Sequence, residues 1–222
     1  DGGRFGFSVA SAGDVDNDGY DDVIVGDTGS NIDGTGSARV FSGFDGTQLY
    51  IFNGEATSDL AGYSVAWAGD VNDDGHGDVI VGGDDHEGSG TARVYSGKDG
   101  LELYTFNSEP DSEHVGLKVS GAGDVNGDGA FDIIVANPYG DENGIDSGTV
   151  RILSGVDGME LFRFYGTAEN EHFGANAATA GDVNNDGYSD VIVGSHNDMD
   201  EEGGGAVTII SGYNGGAFFT LN

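Results

Sequence analysis

A nine-residue pattern of oxygen-bearing side chains occurs four times in the chain. It reads D-x-[DN]-x-D-G-x-x-D, and the four copies begin at Asp14, Asp70, Asp124 and Asp182. Carboxylate or amide groups stand at positions 1, 3, 5 and 9, and glycine stands at position 6. Calcium takes about six to eight oxygen ligands, and glycine lets a tight loop turn sharply. The pattern therefore predicts one calcium-binding loop in each of four repeats.

The predicted ligands of each loop are its four oxygen-bearing side chains and the backbone carbonyl of position 7, where the side chain varies. Along the chain they are Asp14, Asp16, Asp18, Tyr20, Asp22; Asp70, Asn72, Asp74, His76, Asp78; Asp124, Asn126, Asp128, Ala130, Asp132; Asp182, Asn184, Asp186, Tyr188 and Asp190. Magnesium is less suitable because it demands stricter octahedral geometry, and zinc would require His or Cys at fixed positions. A solvated turn is the alternative for one copy, but turn chemistry alone does not hold four copies in register.

A short β-branched run follows each loop, at residues 23–25, 79–81, 133–135 and 191–193. Such runs are typical of buried strands. An EF-hand would place a bidentate Glu at position 12, between two helices, but here position 12 is always valine. We therefore expect each calcium loop to join two strands, which excludes EF-hand and dockerin-like architectures.

Composition restricts the possible partners. The 222 residues include 40 acidic and 7 basic residues, for a net charge of −33, and no cysteine. This charge argues against nucleic acid, which needs Lys and Arg, and no apolar run is long enough to span a bilayer. Loops of this kind suit extracellular calcium, so we expect an extracellular or cell-surface location. Residue 1 is Asp rather than Met, which we expect of a mature form or an excised domain.

The repeats have one internal order. Their first Asp residues are 56, 54 and 58 residues apart, and each repeat contains a small-residue segment, the calcium loop, a Val/Ile-rich strand and two further strands joined by an Asp-Gly or Asn-Gly turn. Four antiparallel strands at this period describe a β-propeller blade. We predict an all-β propeller domain over residues 1–222, with four four-stranded antiparallel blades at about 1–54, 55–108, 109–166 and 167–222. We interpret Trp67, in an otherwise small first strand, as filler of the central channel.

Length variation is confined to the loop between the second and third strands, which measures 16, 14, 18 and 17 residues from its leading residue to the Ser that closes the third strand. Because strand direction alternates, these 2–3 loops share one face with the 4–1 loops that connect successive blades. The calcium loops lie on the opposite face. Binding residues are commonly carried on variable loops, so we expect a ligand on the face of the 2–3 and 4–1 loops.

The repeats resemble the FG-GAP repeats of the integrin α-subunit propeller. That signature has Phe-Gly, a small-residue strand, the acidic loop and a strand that ends near Gly-Ala-Pro. Phe5-Gly6 and Phe173-Gly174 match the opening, whereas the other two repeats keep only Gly62 and Gly116, and Gly-Ala-Pro is degraded throughout. The resemblance implies calcium at all four loops and a role in adhesion or protein binding. The family's propeller has seven blades and this chain has four, so the four could close alone, dimerise into eight blades or belong to a longer array.

Four of the five histidines fall on the variable face, and His114 and His172 occupy equivalent slots, each preceded by Glu. A solvated acidic rim is the favoured interpretation. A transition-metal site and a Glu/His acid–base pair are the alternatives, but no nucleophile or oxyanion device accompanies the pairs. We therefore predict no catalytic residue and no enzymatic activity.

The function predicted from the sequence is a calcium-stabilised, non-enzymatic binding module of a secreted or surface protein, with four Ca²⁺ as its cofactors. Its partner would be a protein or a carbohydrate on the variable face. The alternatives are a lectin-like propeller and an accessory domain of a secreted polysaccharide-active enzyme. We expect no nucleic-acid binding and no membrane insertion, and the chain could be a homodimer or part of a longer blade array.

Overall fold

The computed structural model describes residues 3–29, 34–55, 59–84, 90–108, 114–196 and 204–221. Within these ranges the chain forms sixteen β-strands and no helix. In chain order the strands are β1 (Phe5–Gly13), β2 (Asp22–Asp27), β3 (Ser37–Phe41), β4 (Gln48–Asn53), β5 (Ser64–Gly69), β6 (Asp78–Gly83), β7 (Thr91–Tyr95), β8 (Glu102–Asn107), β9 (Lys118–Gly123), β10 (Asp132–Asn137), β11 (Thr149–Leu153), β12 (Glu160–Tyr165), β13 (Asn176–Gly181), β14 (Asp190–His196), β15 (Gly205–Ile210) and β16 (Ala217–Leu221).

Each consecutive set of four strands forms one antiparallel sheet in chain order, which we call blades 1 to 4. The predicted all-β fold of four four-stranded blades is thus confirmed, whereas the residue limits given for each blade remain a prediction. The acidic loops join the first and second strands of every blade, as the sequence predicts. Each loop follows a glycine in the left-handed region, for example Gly13 with φ of 68° and Gly69 with φ of 90°.

Blades pack face to face through three apolar layers. The face of a blade that points to the next blade is here its forward face, and the opposite one is its backward face. Between blades 1 and 2, Ile24 and Val40 of the forward face meet Val65, Val79 and Val81 of the backward face, and all five are less than 9% exposed. The same layer recurs between blades 2 and 3 and between blades 3 and 4. The chain's stability therefore depends on blade-to-blade burial of Val, Ile and Leu.

The first strands lie innermost. β1 contacts β5, β5 contacts β9, and β9 contacts β13, so the small residues of these strands meet along the axis. All four first strands line one recess. In the described part of the chain no apolar layer joins blade 4 to blade 1. Trp67 is 41% exposed and tilts against Phe131, with ring centroids 5.4 Å apart, so it is not fully buried as filler of the channel.

Candidate metal centre

The four acidic loops share one set of hydrogen bonds. In the first loop, the two carboxylate oxygens of Asp14 accept the backbone N–H groups of Asp18 and Gly19, both at 2.9 Å. The carboxylate of Asp16 accepts the N–H of Asp18 at 3.2 Å, and that of Asp18 accepts the N–H of Tyr20 at 2.9 Å. Equivalent bonds recur in the other three loops. The side chains at positions 1, 3 and 5 are thus held in the same orientation in every blade.

These bonds bring carboxylates together. One ligand atom each from Asp14, Asp16 and Asp18 lies within 4.8 Å of the other two. The other loops carry Asn72, Asn126 or Asn184 at position 3, so an amide oxygen takes the place of one carboxylate there. An all-oxygen set at this spacing fits a hard cation such as calcium.

Two positions in each loop require the left-handed region. The glycines at position 6 have φ between 88° and 96°. Position 4 also has positive φ, and the sequence analysis did not single it out. Its residues are Asn17 (φ 59°), Asp73 (φ 55°), Gly127 (φ 75°) and Asn185 (φ 63°). Asn, Asp and Gly are the residue types that tolerate this conformation, which is the signal that could have revealed the requirement.

The Asp at position 9 lies deeper than the other predicted ligands. Asp22, Asp78, Asp132 and Asp190 are at most 1% exposed. In blade 2, the carboxylate of Asp78 accepts the N–H of Val71 and that of Gly97, both at 2.9 Å. The other blades repeat this pair of bonds. Position 9 therefore ties the start of the loop to the turn between the third and fourth strands, a role that the motif alone did not reveal.

Burial and like charge act on these carboxyl groups. Burial raises the pKa of Asp78 and of Asp132 to about 6, and their two backbone hydrogen bonds oppose the rise. For Asp16, desolvation and the neighbouring carboxylates of Asp22, Asp18 and Asp14 raise the pKa. A bound cation would reverse both effects, because it favours ionised oxygen ligands.

The side chains at position 7 are engaged elsewhere. Tyr20 stacks at a tilt on Phe44 with centroids 5.2 Å apart, and His76 donates its Nδ1–H to the carbonyl of Val15 at 2.9 Å. In these two loops the sequence-predicted ligand at position 7, the backbone carbonyl, stays a prediction.

Successive loops are also bonded to each other. The N–H of Gly77 donates to the carbonyl of Asp14 at 3.0 Å, and the N–H of Ser189 donates to that of Asp124 at 2.8 Å. The N–H of Phe131 donates likewise to the carbonyl of Asp70 at 3.3 Å. Position 8 of the second, third and fourth loops thus contacts position 1 of the preceding loop, so a change in the conformation of one loop would affect the next.

A row of rings lies on the opposite, variable face. The Tyr139 ring meets the edges of His114 and His172 at centroid distances of 5.8 and 5.3 Å. His172 also stacks on His196 at 4.8 Å, and His114 donates Nδ1–H to the carboxylate of Asp84 at 2.8 Å. His172 is only 4% exposed, so the expectation of a solvated histidine is wrong there. Burial between Tyr139 and His196 accounts for the difference.

Other residues that the sequence assigns to that face lie outside the described ranges, including His86, Glu113 and the acidic stretch 198–202. Among the described residues, Asp14, Asp16 and Asp18 form the one group of three His, Asp or Glu side chains whose ligand atoms lie within 4.8 Å of one another, and it contains no histidine. The other three loops carry Asn at position 3, which is not one of these residue types. The described histidines therefore do not form the transition-metal site considered as an alternative.

Comparison with known proteins identifies the family of the chain. The FG-GAP repeat family model matches residues 116–153 and 173–210. The chain is 31% identical to human integrin alpha-6 over 168 residues, which are 67% of this chain and 14% of that protein. It belongs to the FG-GAP repeat family. The FG-GAP chain is also 28% identical to integrin alpha-V of Gallus gallus over 214 residues, 86% of this chain and 20% of that protein.

The FG-GAP chain thus spans between a seventh and a fifth of those relatives. Among solved structures, it superposes on rhamnogalacturonan lyase YesW with a TM-score of 0.59 and 16% identity, over 94% of this chain and 47% of that one. It superposes on the Dos1 propeller with a TM-score of 0.52 and 12% identity, over 90% and 43%. These two likenesses support the propeller fold alone. In the described residues no helix has the length and apolar character needed to cross a membrane.

Proposed function

We propose that this FG-GAP chain is a calcium-stabilised, non-enzymatic propeller module of a secreted or cell-surface protein, and that it binds a protein partner. The observation that carries the calcium proposal is the convergence of Asp14, Asp16 and Asp18 within 4.8 Å, in a loop whose hydrogen bonds recur in every blade. Similarity to integrin α subunits supports the adhesion role.

Each loop would hold its ion through positions 1, 3, 5 and 9 and the carbonyl of position 7. Calcium would supply positive charge where carboxylates crowd together, and four ions would reduce the net charge from −33 to about −25. Because loops of adjacent blades are bonded to each other, occupation of one loop would also stabilise the next.

Differential scanning calorimetry tests the calcium proposal. The protein is freed of metal with a chelator, verified by elemental analysis, and melted with and without calcium. We expect a higher melting temperature in calcium, because a ligand that binds only the folded state stabilises it. Magnesium at the same concentration is the matched control and should stabilise less.

The partner would bind the face of the 2–3 and 4–1 loops. Tyr139 is 43% exposed there, and its neighbours His114 and His172 have φ of 64° and 49°, so the backbone holds both in an unusual conformation. Phe7 and Tyr63 add a second ring pair, 4.9 Å apart. Exposed aromatic groups of this kind often anchor interfaces.

A carbohydrate is the second candidate ligand, since the exposed ring of Tyr139 can stack on a sugar face. A glycan and matrix-protein array, probed in calcium with the unmodified chain and Tyr139→Ser, separates the candidates. Binding to matrix proteins that Tyr139→Ser weakens supports the first proposal, and binding to one glycan class supports the second. A Tyr213→Ser control on the calcium face should bind like the unmodified chain.

A further inference from the structure

The interface between blades 1 and 2 buries a guanidinium group. Arg93 of β7 lies on the backward face of blade 2 and is 7% exposed. Its Nη1 donates to the carboxylate of Asp59 at 2.9 Å, and its Nη2 lies 3.5 Å from the carboxylate of Glu55. Both acidic residues belong to the 4–1 loop that connects blade 1 to blade 2. An arginine of one blade therefore fills the space beside the loop that leads into that blade.

The interface between blades 3 and 4 has the same carboxylate but no arginine. Strand register places Thr208 of β15 at the position that Arg93 occupies in blade 2. Glu171 corresponds to Asp59, because each carboxylate accepts the backbone N–H of the residue four positions earlier in its 4–1 loop. The carboxylate that binds the guanidinium group between blades 1 and 2 is thus retained between blades 3 and 4, where a threonine replaces the arginine.

A groove lies where the arginine is missing. Between blades 3 and 4 it has a volume of about 540 Å³, within the range of about 300–1,000 Å³ that is typical of ligand sites. Between blades 2 and 3, where Arg151 stands at the equivalent position, the cavity measures only about 10 Å³. The residues that carry the argument line the groove from both blades: Tyr165, Thr167, Glu171, Thr208, Ala217 and Thr220.

The charges around the groove favour a cationic ligand. All seven Lys and Arg residues of the chain lie in the described ranges, and none of them pairs with Glu171. Arg163 also lines the groove, but its guanidinium group is bound to the carboxylate of Glu160 at 2.8 Å. Tyr165 is 43% exposed, and a guanidinium group stacks readily on an aromatic ring. The net charge of −33 attracts a basic partner as well.

We infer that the groove between blades 3 and 4 binds an arginine side chain of a protein partner, with Glu171 as the carboxylate that pairs with it. The inference rests on the proposed protein-binding function, and Thr167 and Glu171 belong to a 4–1 loop of the face proposed for the partner. The first strands of the two blades, β9 and β13, contact each other, so no further blade can enter between them. Arginine is favoured over a sugar because the chain itself places a guanidinium group against the equivalent carboxylate of Asp59.

A titration with N-acetyl-L-arginine amide, followed by NMR, tests the groove without knowledge of the partner. The 222-residue chain in calcium should bind this probe saturably, with a dissociation constant of about 1 mM, and the signals of Glu171 and Thr208 should shift. N-acetyl-L-citrulline amide is the matched control, since a neutral urea replaces the guanidinium group in a side chain of the same shape. It should bind at least about tenfold more weakly, because its hydrogen bonds lack the charge.

Substitutions test which residues form the site. Thr208→Arg supplies a guanidinium group from the chain itself, as Arg93 does in blade 2, and should abolish binding of the probe. Glu171→Gln should weaken binding at least about tenfold, because a charged acceptor is lost. Glu169→Gln removes an exposed carboxylate from the same loop outside the groove and should bind like the unmodified chain. Circular dichroism checks that the three variants fold.

Several results would overturn the inference. They are the absence of saturable binding, equal binding of the arginine and citrulline probes, and unchanged binding of the arginine probe to folded Thr208→Arg. A methyl glycoside that shifts the signals of Glu171 and Thr208 when the arginine probe does not would overturn it in favour of a carbohydrate. An array that detects no protein partner would refute the proposed function, whereas probe binding that Thr208→Arg abolishes would still support the guanidinium site.

Discussion

The buried carboxylate of Asp78 accepts the backbone N–H of Gly97 at 2.9 Å, which ties the acidic loop of blade 2 to the turn between its third and fourth strands. The same oxygen pair also accepts the N–H of Val71. Position 9 of the motif is therefore both a candidate ligand and a structural acceptor, and a substitution there affects the blade even without metal.

Replacing Asp78 by Ala should destabilise the chain in chelator by about 1–3 kcal/mol, since two buried N–H groups lose their acceptor. In calcium the loss should be larger because a ligand is removed as well. Denaturant unfolding in both conditions measures this. Asp21→Ala, an exposed change in the first loop, is the control and should have little effect. Equal stability of Asp78→Ala and the unmodified chain in chelator would contradict the structural role.

Lowering the pH should stabilise the metal-free fold but weaken calcium binding. Burial raises the pKa of Asp78 and Asp132 to about 6, above the ordinary value of about 3.9. Without metal, these groups stabilise the fold most below pH 4, and this contribution is lost as the pH rises through 6.

Calcium needs the ionised groups, so binding should release protons. A pKa of about 6 predicts that the calcium dissociation constant of these two sites rises about tenfold from pH 7 to pH 5. Calcium titrations at both pH values test this. Identical affinities at pH 5 and pH 7 would show that neither carboxyl group titrates on binding.

Gly75→Ala should destabilise the conformation of the second loop, because the new side chain strains the backbone without a steric clash. Gly75 has φ of 88°, and no atom lies within 4 Å of the point that a Cβ would occupy, so the cost is conformational, about 1–2 kcal/mol. Calcium affinity and thermal stability should both fall. Asp73→Gly, at φ of 55° in the same loop, removes a side chain from a left-handed position and should be tolerated. If both variants lose calcium equally, backbone strain is not the cause.

The same substitution at the equivalent residues Val79 and Val23 should affect stability differently, because the two residues differ in burial. Val79→Ala removes a side chain that is 1% exposed, whereas Val23→Ala changes the equivalent position at 45% exposure. Loss of buried methyl groups costs about 0.5–1.5 kcal/mol or more, and exposed ones cost far less. Unfolding of the dilute protein should therefore show a clear effect only for Val79→Ala. Equal effects of the two substitutions would contradict the difference in burial between Val79 and Val23.

Short-range patterns in the sequence were sufficient to predict the strands and the acidic loops between them. The runs after Asp22, Asp78, Asp132 and Asp190 are strands as predicted, because β-branched residues and turn signals act over short distances. The double hydrogen bond of position 9 was missed, since its second donor lies about twenty residues further along the chain.

Contacts between blades were harder to foresee. The packing of His172 between Tyr139 and His196 joins two loops and the end of β14, so spacing in the sequence gave no sign that His172 is buried. Val23 is 45% exposed and its equivalent Val79 is 1% exposed although their strands share one sequence pattern, so the difference lies in what packs on each strand. The sequence repeats predict the strands and loops of each blade, whereas the burial of a residue depends on the neighbouring structure that packs on its blade.

Calorimetric titration of verified metal-free protein with calcium tests the central claim most directly. The account predicts saturable binding of four ions per chain, accompanied by a rise in melting temperature. Asp18→Ala should reduce the count to three, because it removes one of the three carboxylates that converge in the first loop. No saturable binding, or an unchanged melting temperature after calcium is added, would contradict the proposal that the four loops are calcium sites that stabilise the fold.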